Sequence, residues 1–499
     1  MTTTVADVVA DGLARAGTVR VFTVAGEPRV LVLLDAVRRR GLEVVEARSE
    51  TAACVMAAVT GTLAGAPGAA VIAGGRRLVR AVEGVAHAFL DRSPLVVVTA
   101  GADAPPVDHR ASLAPITKAT LDAGADSAAH WIAHACRLAM TEPWGPVHLA
   151  VAAAATAALP VATSCRPSPL PAPDAAGLDS AARLLTAAAR PLVVVGLQLR
   201  SEADATWLRA FVEALPAPVL VTRKAKGAMP DPHPLVMGTF GEGGAEAELL
   251  KGADLVVAIG LDSLEVRPRG WPAETPVLHL AASEPKTSLH YRATVAVVGD
   301  IGLLLEELAP RLRKRQLADW DVARLHAVKQ AMASLPPAGS ASLAAYRIVE
   351  AAHRLTSPRT VAVFDVGEHL GAALRAWPAV APGECLVPRR LETNGFALPA
   401  AIAAQLARGD QRVVCFAEPH ALRAAAGELD TLSLLALPVL VVLFRDATTP
   451  SLLTLAREAD VAGFATGSTD EFRTAAARAL EDGAVAVIEA TLATGRGSI

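Results

Sequence analysis

Few residues in this 499-residue chain stand where side chains can do chemistry, and Glu50 is the first of them. In GLEVVEARSETAACVMAAVTG it follows an apolar run at 42–47 and opens an alanine-rich helical stretch. A carboxylate there lies at the carboxyl end of a buried strand, where α/β proteins build their sites, and on a helix N-terminus, whose dipole favours an anion. A lone glutamate at a helix start more often serves only the dipole, so its surroundings must decide. Further along, VVCFAEPHALRAAAGELDTLSLLALPVLVVLFRDA sets Glu418, Pro419 and His420 after one apolar run, and Arg445 and Asp446 after the next. Asp446 offers oxygen to a hard cation, and Arg445 offers a fork of donors to a phosphate. Pro419 offers neither a carboxylate nor a backbone N–H. In AGGRRLVR, Arg76 and Arg77 either bring bulk and positive charge to the same face or turn outward into solvent.

Other chemistries find little support. His130 and His134 share a helix face, but no third ligand follows nearby, so a solvated face is expected rather than a metal site. The five cysteines (Cys54, Cys136, Cys165, Cys385, Cys415) are scattered and form no C-x-x-C pair. Disulfides and zinc are therefore not expected, and a reducing cytoplasm is. Forty-seven Lys and Arg against 50 Asp and Glu leave a net charge of −3, and only 4% of residues are aromatic, which argues against nucleic-acid binding. The uncharged stretches 145–165 and 431–444 carry Pro160 and Pro438, and neither reaches a strongly apolar span, so no membrane segment or leader is expected. No strand runs into G-x-G-x-x-G, which disfavours a nicotinamide-dependent dehydrogenase.

The elements that would carry these residues follow one pattern. Hydrophobic content is 52%, mean hydropathy is +0.38 and charged residues are 19%, enough to fill several buried sheets. Short β-branched runs alternate with amphipathic stretches, the mark of parallel sheets covered by helices. One set of runs lies at 19–24, 42–47, 69–73, 95–100 and 147–151; a second at 192–197, 219–222, 255–261, 277–281 and 295–298; a third at 360–366, 384–387, 412–416, 438–444 and 484–490. PVATSCRPSPLPAPDAAG and SLPPAGSAS punctuate them as linkers. The expectation is three tandem α/β domains: 1–160, a linker at 161–177, 178–315, a second linker at 316–342, and 343–499.

Strings in a fixed order carry a family resemblance: GVAHAFLDRSPLVVVTAG, PITK, WGPVHLAV, RPLVVVGL, APVLVTRKAKGAMPDPHPLVMGTFG, ADLVVAIG, FDVGEH, TNGFALPAAIAA and LPVLVVLFRDA. Together they resemble the thiamine diphosphate-dependent enzymes, in the acetolactate synthase (acetohydroxyacid synthase) and 2-oxo acid decarboxylase branch, over nearly the whole chain. The resemblance implies a pyrimidine-binding first domain, a Rossmann-like central domain and a diphosphate-binding third domain. It also implies a homodimer or homotetramer with sites between subunits. Glu50 falls on the glutamate that binds the cofactor's aminopyrimidine and promotes its imino tautomer. Cofactor contacts are implied at Gly26, Glu368, His369, Asn394, Gly395, His420 and Arg445, with Asp446 and the Thr448 backbone left for a metal.

The departures bear on activity. The family's GDG, whose aspartate holds Mg²⁺ on the diphosphate, reads Glu418-Pro419-His420 here, and its NN reads Arg445-Asp446. Asn394 replaces the bulky apolar residue that bends the cofactor, and Arg76-Arg77 replace Pro-Gly in the first domain. Two functions remain open: an acetolactate synthase-like protein acting on 2-oxo acids with an eroded metal–diphosphate site, or a non-catalytic paralogue serving as assembly partner or ligand-binding subunit. Some relatives carry FAD in the central domain; GLDSLEVRPRGWP occupies that region without a flavin signature.

Overall fold

The structure, a computed structural model, describes residues 3–24, 26, 28–100, 108–157, 163–170, 172–241, 244–266, 271, 274–285, 291–312, 318–389, 393 and 395–492. Two compact units divide the chain. One takes in the described residues of Met1–Ser168, Ala362–Gly367 and Arg390–Ala493; the other takes in those of Pro169–Val361 and Glu368–Arg389.

Three six-stranded sheets form the scaffold. The first runs across as Glu43–Ala47, Arg20–Val24, Gly68–Ala73, Leu95–Ala100, Val147–Val151 and Ala119–Ala123, all parallel, with Val21 opposite Val44 and Ala69. The second runs Val295–Val298, Val277–Ala281, Leu255–Ile259, Pro191–Val195, Val219–Val221 and Val236–Thr239, again parallel. The third runs Cys385–Leu386, Val361–Phe364, Val413–Ala417, Val439–Asp446, Ala486–Leu492 and Ala462–Thr466. Central strands such as Gly68–Ala73 and Leu95–Ala100 are buried at every position, as sheets covered on both faces must be. Each set of runs read from the sequence has five members, and each sheet has six. The added strand, Ala119–Ala123, Val236–Thr239 or Ala462–Thr466, lies at a sheet edge every time.

The helix Glu50–Ala64 is buried nearly all round. Ser49 caps its start, accepting the Ala52 N–H, and Gly65, at φ +60°, ends it. It packs on the helices Arg76–Leu90 and Ala397–Ala407 of the same unit. The first approach is close enough that a Cβ on Gly84 would lie 2.6 Å from the Thr51 carbonyl. Its apolar surface is thus covered within one chain. Among the described residues no helix is long and apolar enough to cross a membrane.

Candidate functional site

In open parallel sheets, ligands bind beyond the carboxyl ends of the strands where the chain's connections diverge. In the first sheet that point lies between Arg20–Val24 and Gly68–Ala73. Gly26, at φ +85° with open space around it, follows one strand, and Gly75, at φ +74°, precedes the helix that follows the other. Glu50 stands just beyond the neighbouring strand Glu43–Ala47 and is 2% exposed. Its Oε1 accepts a hydrogen bond from Arg77 Nη1 at 3.1 Å. Arg77 has therefore turned inward, while Arg76 is exposed. One turn along the Glu50 helix, burial and the Glu50 charge push the Cys54 thiol up to about 12, so it is an inert core thiol.

Two residues passed over in the sequence reading hold this region in place. Glu428, 1% exposed, opens the helix Glu428–Leu434. Its Oε1 accepts the Arg48 N–H at 2.8 Å and its Oε2 the Thr431 hydroxyl at 2.8 Å, which clamps the loop that presents Glu50. Burial raises the pKa of this carboxyl, and the donated hydrogen bonds oppose the rise. His109 Nε2 accepts the Gly75 N–H at 3.0 Å, which puts the proton of its neutral ring on Nδ1.

The third sheet diverges between Val361–Phe364 and Val413–Ala417. Asp365 follows the first of these strands, and its Oδ1 accepts the Ala397 N–H at 2.8 Å. Burial pushes its carboxyl up to about 7, against hydrogen bonds from the backbone of Ala397, Glu418 and Phe396. Glu418 follows the second strand, and a Cβ on Gly367 would collide with its Oε1, so the Glu418 carboxylate lies in the crevice itself. Gly395, at φ +79°, packs so tightly on the short helix Pro419–Ala424 that a Cβ there would be 2.8 Å from the Ala421 carbonyl. Gly395 and the 418–420 turn are thereby brought together, and His420 is exposed. Asn394 lies outside the described residues.

Arg445 and Asp446 are engaged locally. Arg445 donates to the Thr449 carbonyl at 2.7 Å and the Thr491 hydroxyl at 2.9 Å, and its Nε lies 3.6 Å from Glu489, which is 1% exposed. Asp446 Oδ1 accepts the N–H groups of Thr448 and Thr449 and the Thr448 hydroxyl, at 2.6–2.8 Å. Its Oδ2 accepts the Thr449 hydroxyl at 2.8 Å. These bonds hold the carboxyl well below the usual range. In the other unit, Glu368 is exposed, and His369 Nδ1 lies 3.3 Å from Ser342 Oγ, with burial lowering the imidazole's pKa. No group of three metal-binding side chains occurs among the described residues.

The central sheet diverges between Pro191–Val195 and Leu255–Ile259. There Glu265 Oε2 accepts the N–H groups of Leu197 at 2.9 Å and Asp262 at 3.1 Å, and Oε1 accepts the Thr222 hydroxyl. This crevice, too, is filled by a side chain of its own.

Family models described as the N-terminal TPP binding domain, central domain and C-terminal TPP binding domain of thiamine pyrophosphate enzymes match residues 3–121, 178–308 and 365–450. The acetolactate synthase isozyme 1 large subunit of Escherichia coli is 26% identical over 418 residues, covering 80% of this chain and 74% of its own. The acetolactate synthase of Bacillus subtilis is 25% identical over 466 residues, 89% of this chain and 81% of its own. A solved structure from Mycobacterium smegmatis, described as a thiamin diphosphate-dependent enzyme, superposes with a TM-score of 0.84 at 20% identity over 98% of this chain and 99% of its own, which shows the fold. With the three domain types matched in order and long alignments to acetolactate synthases, the chain belongs to the thiamine pyrophosphate enzyme family, in its acetolactate synthase branch.

Proposed function

We propose that this family member is a non-catalytic paralogue, serving as an assembly partner or ligand-binding subunit. The observation that supports the reading is the Arg77–Glu50 pair: the carboxylate to which the family resemblance gives the aminopyrimidine is already held by a cation from its own chain. Magnesium needs oxygen ligands in near-octahedral order. Pro419 has no side-chain oxygen, the Asp446 oxygens close their own turn, and Arg445 is bound to Thr449, Thr491 and Glu489. The family's metal–diphosphate arrangement does not fit these side chains, so no reaction step is derived through it.

Calorimetric titration with thiamine diphosphate, with Mg²⁺ and then with EDTA, tests the reading. The expected result is binding no tighter than about 1 mM, unchanged by chelator. Micromolar binding that EDTA abolishes would overturn it. A second reading, an enzyme acting on 2-oxo acids, draws on Glu50 itself, buried at a helix start beyond a strand end. It requires that pyruvate be turned over and that Glu50→Gln nearly abolish this turnover, because an amide cannot share the proton.

We infer in addition that the central domain takes no flavin. The Glu265 carboxylate occupies the N–H groups that a dinucleotide's phosphates would need. Purified protein should release no flavin on acid precipitation; stoichiometric FAD in the supernatant would refute this. For assembly, the expectation is a homodimer or homotetramer, because family-type sites join two chains. A monomer by light scattering at micromolar concentration would remove that expectation.

A further inference from the structure

We infer that a cavity beside the edge strand Val236–Thr239 is a binding site for a small carboxylate bearing a branched or aromatic apolar group. The inference is independent of whether Glu50 is catalytic. The cavity has a volume of about 350 Å³ and lies wholly within the second unit. Its walls come from the edge strand, the end of the helix Val322–Met332, and the packed helices Ala341–Leu355 and Leu370–Ala376. That volume falls in the range of small-molecule pockets, towards the lower end.

The charges lining it are unbalanced: Lys226, Lys329 and Arg375 face a single acid, Asp231. Lys226 and Asp231 pair with each other, and Asp231 also accepts the Ala379 N–H at 2.8 Å, so the one acid of the lining is already taken. Lys329 donates to the carbonyls of His233 and Pro234 at 2.9 and 3.2 Å. An ammonium has three protons, so one remains for a ligand. The Arg375 guanidinium and the Tyr346 hydroxyl have no partner among the described residues. Arg375 is exposed and Tyr346 half-buried, so the cavity opens to solvent on the Arg375 side.

Met237 and Met332 add apolar surface to the lining, and Met332 lies over Gly238, where a Cβ would be 2.9 Å from its Cε. Thioether side chains adapt to apolar groups of varied shape. Uncommitted cationic and hydroxyl donors beside a methionine-lined wall suit an organic anion whose carboxylate meets the donors and whose body meets the methionines. Ala245 in the lining caps the seven-residue helix Glu246–Gly252, whose first turn already carries the acids Glu246 and Glu248, so that helix start does not call for a phosphate.

The test uses the full chain and 4-phenylbutyrate as the probe in titration calorimetry. The expected result is saturable binding at one site per chain. Arg375→Ala and Tyr346→Phe should each weaken it about tenfold. The neutral analogue 4-phenylbutanol should also bind about tenfold more weakly, and excess thiamine diphosphate should not displace the acid. The inference is overturned if the acid gives no saturable heat, if the alcohol binds as well, if both variants bind like wild type, or if thiamine diphosphate competes.

Discussion

Arg77→Ala should lower the stability of the first unit by about 2–3 kcal/mol, while Glu50→Gln should cost about 1 kcal/mol or less. The asymmetry follows from burial. The Glu50 side chain is 3% exposed and the Arg77 side chain 30%, so a guanidinium left alone can rehydrate and a carboxylate left alone cannot. The helix N-terminus at Glu50 offsets part of the loss, which keeps the figure below the largest values for broken buried pairs. The double variant should resemble Glu50→Gln alone, because a neutral amide no longer needs the cation. The cycle should therefore show a coupling of about 2 kcal/mol. Urea midpoints at neutral pH would measure it. Uncoupled effects below about 0.5 kcal/mol would mean that the pair does not neutralise Glu50, and the non-catalytic reading would lose its main support. If Arg77→Ala also makes thiamine diphosphate bind measurably, the guanidinium is what closes the aminopyrimidine position.

Much of the scaffold could be read from the chain, and the limits have physical causes. A central strand such as Leu95–Ala100 is buried on both faces and must be a continuous apolar run, so periodicity finds it. An edge strand such as Ala462–Thr466, AGFAT, is largely solvated and has one large apolar residue, Phe464, so it shows no such run. Cys385–Leu386 is only two residues long. Glu50 was legible because an acid at the end of an apolar run stands out. The inward turn of Arg77 was not, since composition reveals a charge but not the direction of its side chain.

Asp365, Glu265 and Glu428 were missed for a related reason: backbone N–H groups distant in sequence donate to their carboxyl oxygens, and no residue type records where those groups lie. Glu489 did leave a signal, since an acid inside the strand Ala486–Leu492 needs a partner. That partner is Arg445, together with Ser451 and the Leu452 N–H. Once Glu489 is counted, Arg445 reads as the counter-charge of a buried acid rather than as a phosphate ligand.

Asp365 gives the protein a stability that should fall as pH rises from about 4 to about 7. Unfolded, its carboxyl releases a proton near the ordinary value of 3.8; folded, it keeps the proton to about 7. Between those values the folded state binds the extra proton, so raising the pH favours unfolding, and above about 7 the contribution is flat. The slope approaches about 1.4 kcal/mol per pH unit, so the whole interval is worth a few kcal/mol. Asp365→Asn removes this titration. Its amide oxygen can take the place of Oδ1 on the Ala397 N–H, but its NH₂ is left buried in the place of Oδ2, which has no hydrogen-bond partner among the described residues, at a cost of about 1–2 kcal/mol. The variant should therefore be no more stable than wild type at pH 5 and more stable at pH 8. Other carboxyls act on both sides: Glu428 and Glu265 are raised and add to the fall, while Asp7, held down to about 2 by Arg39 and Thr4, opposes it at the acid end. The difference in slope between wild type and variant isolates Asp365, because those groups are common to both. Urea midpoints measured across this range decide the matter. Parallel curves for the two proteins would show that Asp365 does not hold its proton in the fold. The joint it makes between the Gly395 loop and the Glu418 turn would then be that of an ordinary ionised carboxylate.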